Sequence, residues 1–229
     1  MPRRPKDPMS MLYESVPTPV RRAASRGTLA RYTGWSPKLR RSMNFSTRLE
    51  YLHWLLLEGT PQVVHFCEYY PEVQMESWSF VFDMWLRWKD GHEECRELVH
   101  GEGYRGVKQF GPASSGLSML DHWSREHGYT FSRITEQGLA PHMHRIQNCQ
   151  RMLPFVRFAQ EQPDNELEAV VLLKLLLSDL PLRELIRTQP ARQGIAVTAT
   201  VAKLLHSGKI NADLDHGHFG PDLLLKLAS

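Results

Sequence analysis

The stretch "SFVFDMWLRWKDGHEECRELV", residues 79–99, constrains the fold more than any other part of the chain. Phe80, Phe82, Met84 and Leu86 alternate with Val81, Asp83, Trp85 and Arg87, which is the period-2 pattern of a strand. Lys89-Asp90-Gly91 then supplies turn residues, and the chain returns through Glu97 to Val99. Two adjacent strands of one sheet are therefore expected. Asp83 stands between large apolar neighbours, where its charge costs desolvation energy and calls for a compensating partner.

Around this hairpin the sequence predicts a mixed α/β chain. "FSTRLEYLHWLLLEG" reads as a helix with Ser46 at the N-cap, leucines 49, 52, 55 and 56 at helical spacing, and Gly59 as the stop. "QVVHFCEYYPEVQMES" reads as a strand leading through Pro71 into a second extended run. A glycine-rich bend "HGEGYRG", a short helix "SMLDHWSREHG", a strand "YTFSRIT" and a helical region from Gly138 to Gln160 follow. A breaker at Pro163-Asp164-Asn165 opens a second unit. "ELEAVVLLKLLLSD" is read there as an amphipathic helix with its leucines on one side. "PLRELIRT", "ARQGIAVTATVAKLLHSG" closed by Gly208, and a tail with a short β run follow it. Three helices with a small β-wing predict a winged helix-turn-helix. The expected domains are a basic extended arm, 1–41, an α/β domain, 42–161, and the winged unit, 162–229.

Charge is unevenly spread. The formal net charge is +3, yet residues 1–41 hold ten Lys or Arg against Asp7 and Glu14, a net +8 that leaves −5 for the rest. Such an arm suits a phosphate backbone, with Arg21, Arg22, Arg40 and Arg41 as candidate DNA contacts. Three cysteines without a CxxC pair argue against a disulfide framework, and no run is long enough to span a membrane, so a reducing cytoplasm is expected.

"FSTRLE", "FVFDMWLRWKDG", "ECRELV", and "YTFSRITEQGL" with "RIQNCQRM" occur in an order that resembles the restriction-endonuclease-like amino-terminal domain of TnsA, the endonuclease subunit of heteromeric transposases. The resemblance covers residues 40–160, and the family's carboxy-terminal winged unit matches the remainder. It implies a restriction-endonuclease-like mixed sheet flanked by helices. It also implies Mg²⁺- or Mn²⁺-dependent phosphodiester hydrolysis at the 5′ ends of a transposon in double-stranded DNA, with a TnsB-like transposase and a TnsC-like ATPase as partners. Glu50, Asp83 and Glu97 would be its catalytic residues, with Asp83 and Glu97 as metal ligands and Glu50 assisting a metal or water.

The family pattern places a lysine two residues after the second acid, and here that position is Val99. A substitute cation is expected from Arg105 or Lys108 in the glycine-rich bend, or from His100 if a bulge turns it to the face of Glu97. Loss of cleavage is the alternative, which would leave an inert assembly factor tethering DNA and partners. Retained cleavage is preferred because three acidic positions persist in order. Taken alone, Glu50 reads as a solvated helix residue and Glu97 as a cross-strand partner of Arg87 or Lys89.

In the winged unit, the helix 192–207 could present Gln193, Thr198, Thr200, Lys203 or His206 to a groove, with Lys209 near a phosphate. Docking of a protein partner is an equal expectation, because that helix is only weakly basic. His142-x-His144 and His216-x-His218 have a spacing zinc could use, but surface imidazoles are the preferred reading. Ser114-Ser115 lacks a nucleophile-elbow pattern, and "HGEGYRG" lacks the lysine and serine of a phosphate loop.

Overall fold

A computed structural model of the chain describes residues 17–20, 32–74, 79–100, 115–189 and 194–228. Its elements are, in order, β1 (Tyr32–Ser36), β2 (Arg41–Phe45), α1 (Arg48–Glu58), β3 (Val63–Glu68), β4 (Glu72–Gln74), β5 (Ser79–Val81), β6 (Met84–Trp88), β7 (Glu93–Val99), α2 (Ser115–Glu126) and β8 (Thr130–Thr135). They continue through α3 (Glu136–Leu139), a 3-10 turn (Ala140–His142), α4 (Met143–Glu161), α5 (Asn165–Leu177), β9 (Leu180–Pro181), α6 (Leu182–Arg187), α7 (Gly194–His206), β10 (Ile210–Asn211) and β11 (Leu224–Leu227). The protein is mixed α/β with mixed sheets. Among the described residues no helix is long and apolar enough to cross a membrane.

Contacts divide the chain into two compact units. One joins Met1–Gly27 to Val63–Thr135, and the other joins Thr28–Gln62 to Glu136–Ser229. This grouping does not follow the boundaries expected from the sequence, because α4 shares a core with the carboxy-terminal helices. Residues 32–41, expected within an extended arm, form most of an antiparallel hairpin instead, with Tyr32 opposite Phe45 and Ser36 opposite Arg41.

In the first unit, β3, β6, β7 and β8 form a four-stranded sheet in that order. The β3–β6 and β6–β7 pairs are antiparallel, whereas β7 and β8 run parallel, connected by the segment that contains α2. The turn Lys89-Asp90-Gly91 closes β6–β7 as expected: Gly91 takes φ 87 and donates to Trp88 O at 2.9 Å. Cys67, Phe82, Trp85, Cys95 and Leu120 form the core on one face of the sheet. The expected single strand 79–88 is broken at Phe82-Asp83. Its first part pairs with β4 as a separate two-stranded ribbon, and its second part enters the main sheet.

In the second unit, α1 begins with a capping box at Thr47, one residue later than the expected Ser46. The core combines Met152 and Val156 of α4 with Leu167, Val171 and Leu175 of α5, Leu182 and Leu185 of α6, and Val197, Val201 and Leu205 of α7. Each fully buried aliphatic side chain contributes about 1.5–3 kcal/mol. The leucines of α5 do not lie on one side: Leu173, Leu176 and Leu177 are exposed opposite the buried row. β9, β10 and β11 form a three-stranded sheet with β11 central. Gly208, at φ 70, ends α7 while Gly208 N donates to Leu205 O and Lys209 N to Leu204 O. Pro181 caps α6 rather than occupying its first turn.

Candidate active site

β6 starts at Met84, opposite Arg96. That register does not continue, because Asp83 N also bonds Arg96 O, so Asp83 and Met84 both face Arg96. Asp83 therefore reaches β7 beside Glu97 in sequence without directly opposing it. Asp83 N donates to Arg96 O at 3.0 Å, and Asp83 Oδ2 accepts from Leu98 N at 2.7 Å. The strand break explains this bond: β6 has ended, so the Asp83 carboxylate supplies the acceptor for the Leu98 amide on that side. Asp83 is only 5% exposed, and part of its desolvation is offset by this amide.

Glu97 pairs with Arg133, whose Nε lies 2.8 Å from Glu97 Oε2. Arg133 sits directly beside Glu97 in the parallel β7–β8 ladder. The expected cross-strand partner Arg87 instead binds Glu93 at 2.9 Å, and Lys89 is exposed in the turn. Arg133 was not foreseen. "YTFSRIT" reads as a strand, but nothing in a single sequence fixes which residue of a parallel neighbour meets Glu97.

The ladder from Glu94 to Val99 is continuous against β8, so it contains no bulge that would turn His100 to the face of Glu97. His100 follows the strand and is half-buried. Arg105 and Lys108, like Arg21, Arg22 and Gln193, lie outside the described residues. Arg40 is exposed in the β1–β2 turn with φ 52, and Arg41 begins β2, half-buried.

Glu50 belongs to the second unit, and its carboxylate completes the α1 capping box. Oε2 accepts from Ser46 N at 2.8 Å and Thr47 N at 3.3 Å, and Thr47 Oγ1 accepts from Glu50 N. It is 7% exposed, not a solvated helix residue.

Glu94, three residues before Glu97 and on the opposite face of β7, is held below the ordinary carboxylate range. Burial opposes this shift, but it is outweighed by the Arg96 guanidinium at 2.7 and 2.9 Å and by donors from Ser132 and Trp88. Burial pushes the Cys95 thiol up, reinforced by Glu93 and Glu94.

The donor set at Asp83 and Glu97 was tested against the expected Mg²⁺ or Mn²⁺. Such ions take hard oxygen ligands and are commonly held by one or two carboxylates together with substrate phosphate and water. Asp83, held at the Leu98 amide, and Glu97, one residue along the strand, would supply two such carboxylates once Glu97 exchanged Arg133 for the ion. Among the described residues no group of three or more His, Cys, Asp or Glu is placed to hold a metal.

The expected DNA-reading side chains of the carboxy-terminal helices are engaged within their unit. Lys203 pairs with Glu168, and Lys209 lies 3.8 Å from the same carboxylate. His206 Nε2 is 2.9 Å from Glu58, Thr198 donates to Gly194 O, and Thr200 is buried. α7 is covered along most of its length, chiefly by α4. The His144 and His218 rings lie 5.3 Å apart beside Arg151, while His216 pairs with Asp213. His142 ends the 3-10 turn.

Compared with known protein families and with curated proteins, the chain matches no family model and no characterised sequence.

Proposed function

We propose that this chain is a TnsA-like DNA endonuclease subunit of a heteromeric transposase, hydrolysing phosphodiester bonds at transposon 5′ ends in the bacterial cytoplasm beside a TnsB-like transposase and a TnsC-like ATPase. The observation that carries the reading is the bond from the Leu98 amide to the buried Asp83 carboxylate, one residue along β7 from Glu97. The order helix, three antiparallel strands, helix, parallel strand supports a restriction-endonuclease-like core. The order α5, β9, α6, α7, β10, β11 supports a winged helix.

In this reading Asp83 and Glu97 would hold Mg²⁺ or Mn²⁺, whose chemistry would be activation of a water and stabilisation of charge at phosphorus. The water oxygen bonds to phosphorus, one P–O ester bond breaks, and the leaving oxygen takes a proton. Asp83 is positioned by the Leu98 amide, which fixes its rotamer before substrate arrives. Because the outward residues of α7 are engaged or buried, the winged unit is read as a partner-docking module rather than a base reader.

A second reading has a specific observation behind it. Val99 replaces the expected lysine and Arg133 neutralises Glu97, as befits an inert nuclease-fold assembly factor. Purified protein with its transposase, 5′-labelled end DNA and Mg²⁺ separates the two. The endonuclease reading expects 5′-strand nicking that Asp83→Asn, which keeps an oxygen for the Leu98 amide, reduces at least 100-fold. Recruitment of transposase and DNA without nicking selects the inert reading.

A further inference from the structure

Glu97 and Val99 are two residues apart on β7, so they share a face at a separation of about 6.6 Å. The parallel neighbour β8 places Arg133 beside Glu97 and Thr135 beside Val99, which puts Arg133 on that same face. Its guanidinium binds Glu97 through Nε at 2.8 Å. The arginine side chain remains 43% exposed, while Glu97 is 12% exposed. A guanidinium has five N–H donors in a planar fork, so one donor can hold a carboxylate while others meet a second anion.

Resting on the endonuclease reading, we infer that Arg133 is the catalytic cation of this chain, binding the non-bridging oxygens of the scissile DNA phosphate in place of the lysine missing at position 99. The Asp83 carboxylate held at the Leu98 amide, the adjacent Glu97 and an incoming phosphate bring negative charge to the end of β7, and Val99 supplies none to balance it. Arg133 answers that need from the adjacent strand. Glu97 orients the guanidinium, and the fork geometry matches phosphate as it matches carboxylate. The charge is permanent, so Arg133 neutralises the transition state and takes no proton from water.

The test uses the full chain with its transposase and end DNA in Mg²⁺, and separately measures DNA binding by anisotropy in EDTA. Arg133→Gln keeps a donor for Glu97 and removes the charge. It is expected to slow nicking on the order of 100-fold. It should also weaken metal-free DNA binding and lower the salt slope by about one phosphate contact. Adding Val99→Lys to that variant restores nicking, and Arg133→Lys, which lacks the fork, is about tenfold slower than wild type. If Arg133→Gln melts below the assay temperature, Arg133→Lys decides: a wild-type rate overturns the inference. If the wild type nicks and depends on Asp83, but Arg133→Gln nicks at the wild-type rate, the inference falls and the endonuclease reading stands. If the wild type is inert and Val99→Lys nicks, Arg133 does not serve as the cation, although the fold reading survives. If both are inert, both fall.

Discussion

At the scale of single residues, the most consequential group outside the site is Lys38, in the turn between β1 and β2. Its ammonium donates to Leu57 O and Thr60 O at 2.6 Å each, at the carboxyl end of α1, where backbone carbonyls favour a cation. Beside it, the fully buried Glu58 accepts from Ser36 and faces His206. Burial nevertheless lowers the pKa of Lys38 from 10.5 to about 8, with Glu58 and Cys149 opposing the shift. Between about pH 8 and 10.5 the unfolded chain holds a proton that folded Lys38 has released, so this group makes stability rise with pH. Over the full window the gain is at most about 3 kcal/mol. Cys149 acts in the opposite sense. Burial, with Glu58, pushes its thiol above the ordinary 9.0, so above that pH the unfolded thiol ionises while the folded one does not. Urea midpoints should therefore climb from pH 7.5 to about 9 and then turn down, and Lys38→Met should remove the climb. A wild-type midpoint that is flat from 7.5 to 9 contradicts the assignment.

At the scale of elements, α4 anchors the long connection between β10 and β11 through one side chain. Asn148, wholly buried, donates Nδ2 to Leu214 O at 2.8 Å and Gly217 O at 2.7 Å, and its Oδ1 accepts from Phe219 N at 2.8 Å. Arg145, one turn earlier, clamps Asp215 with two bonds and holds its carboxyl below the usual range. Removing one partner strands several buried polar groups, so Asn148→Ala should cost about 2–4 kcal/mol in denaturant unfolding. A loss below 0.5 kcal/mol would mean that the loop is held by other contacts. The sequence shows Asn148 only as a polar residue in a helix, because its partners lie 66 to 71 positions away. The same limit governs the rest. Strands and helices were legible wherever a local period or cap declares them, as in α1, the β6–β7 turn and the Gly208 stop. The break at Phe82-Asp83 was not, because apolar alternation continues through it while hydrogen-bond partners change. Glycine at position 34 is a further tertiary requirement. A Cβ there would lie 2.4 Å from the Trp54 ring, so Gly34→Ala should destabilise by about 1–3 kcal/mol in the same measurement.

At the scale of the whole molecule, the charge distribution would, on the endonuclease reading, set how DNA is approached. Residues 42–229 carry a net −5, and within the described residues many of their cations are already committed, such as Arg87 to Glu93, Arg96 to Glu94, Arg133 to Glu97 and Lys203 to Glu168. A phosphate backbone is repelled by the remaining surplus of carboxylates unless a separate cationic segment offsets it. The leading 31 residues hold seven Lys or Arg (Arg3, Arg4, Lys6, Arg21, Arg22, Arg26 and Arg31) against Asp7 and Glu14. Each phosphate neutralised by such a cation contributes about −0.9 to the slope of log affinity against log salt. Removal of residues 2–31 should thus weaken binding of a 30-base-pair duplex more than tenfold at about 50 mM salt, and much less at about 300 mM, as the slope flattens. The effect should not depend on DNA sequence, because backbone contacts carry affinity without base readout. An unchanged slope after truncation would transfer the electrostatic role to the folded units. The cations to examine first would then be Arg40 and Arg41 of the β1–β2 hairpin, which the truncation leaves in place.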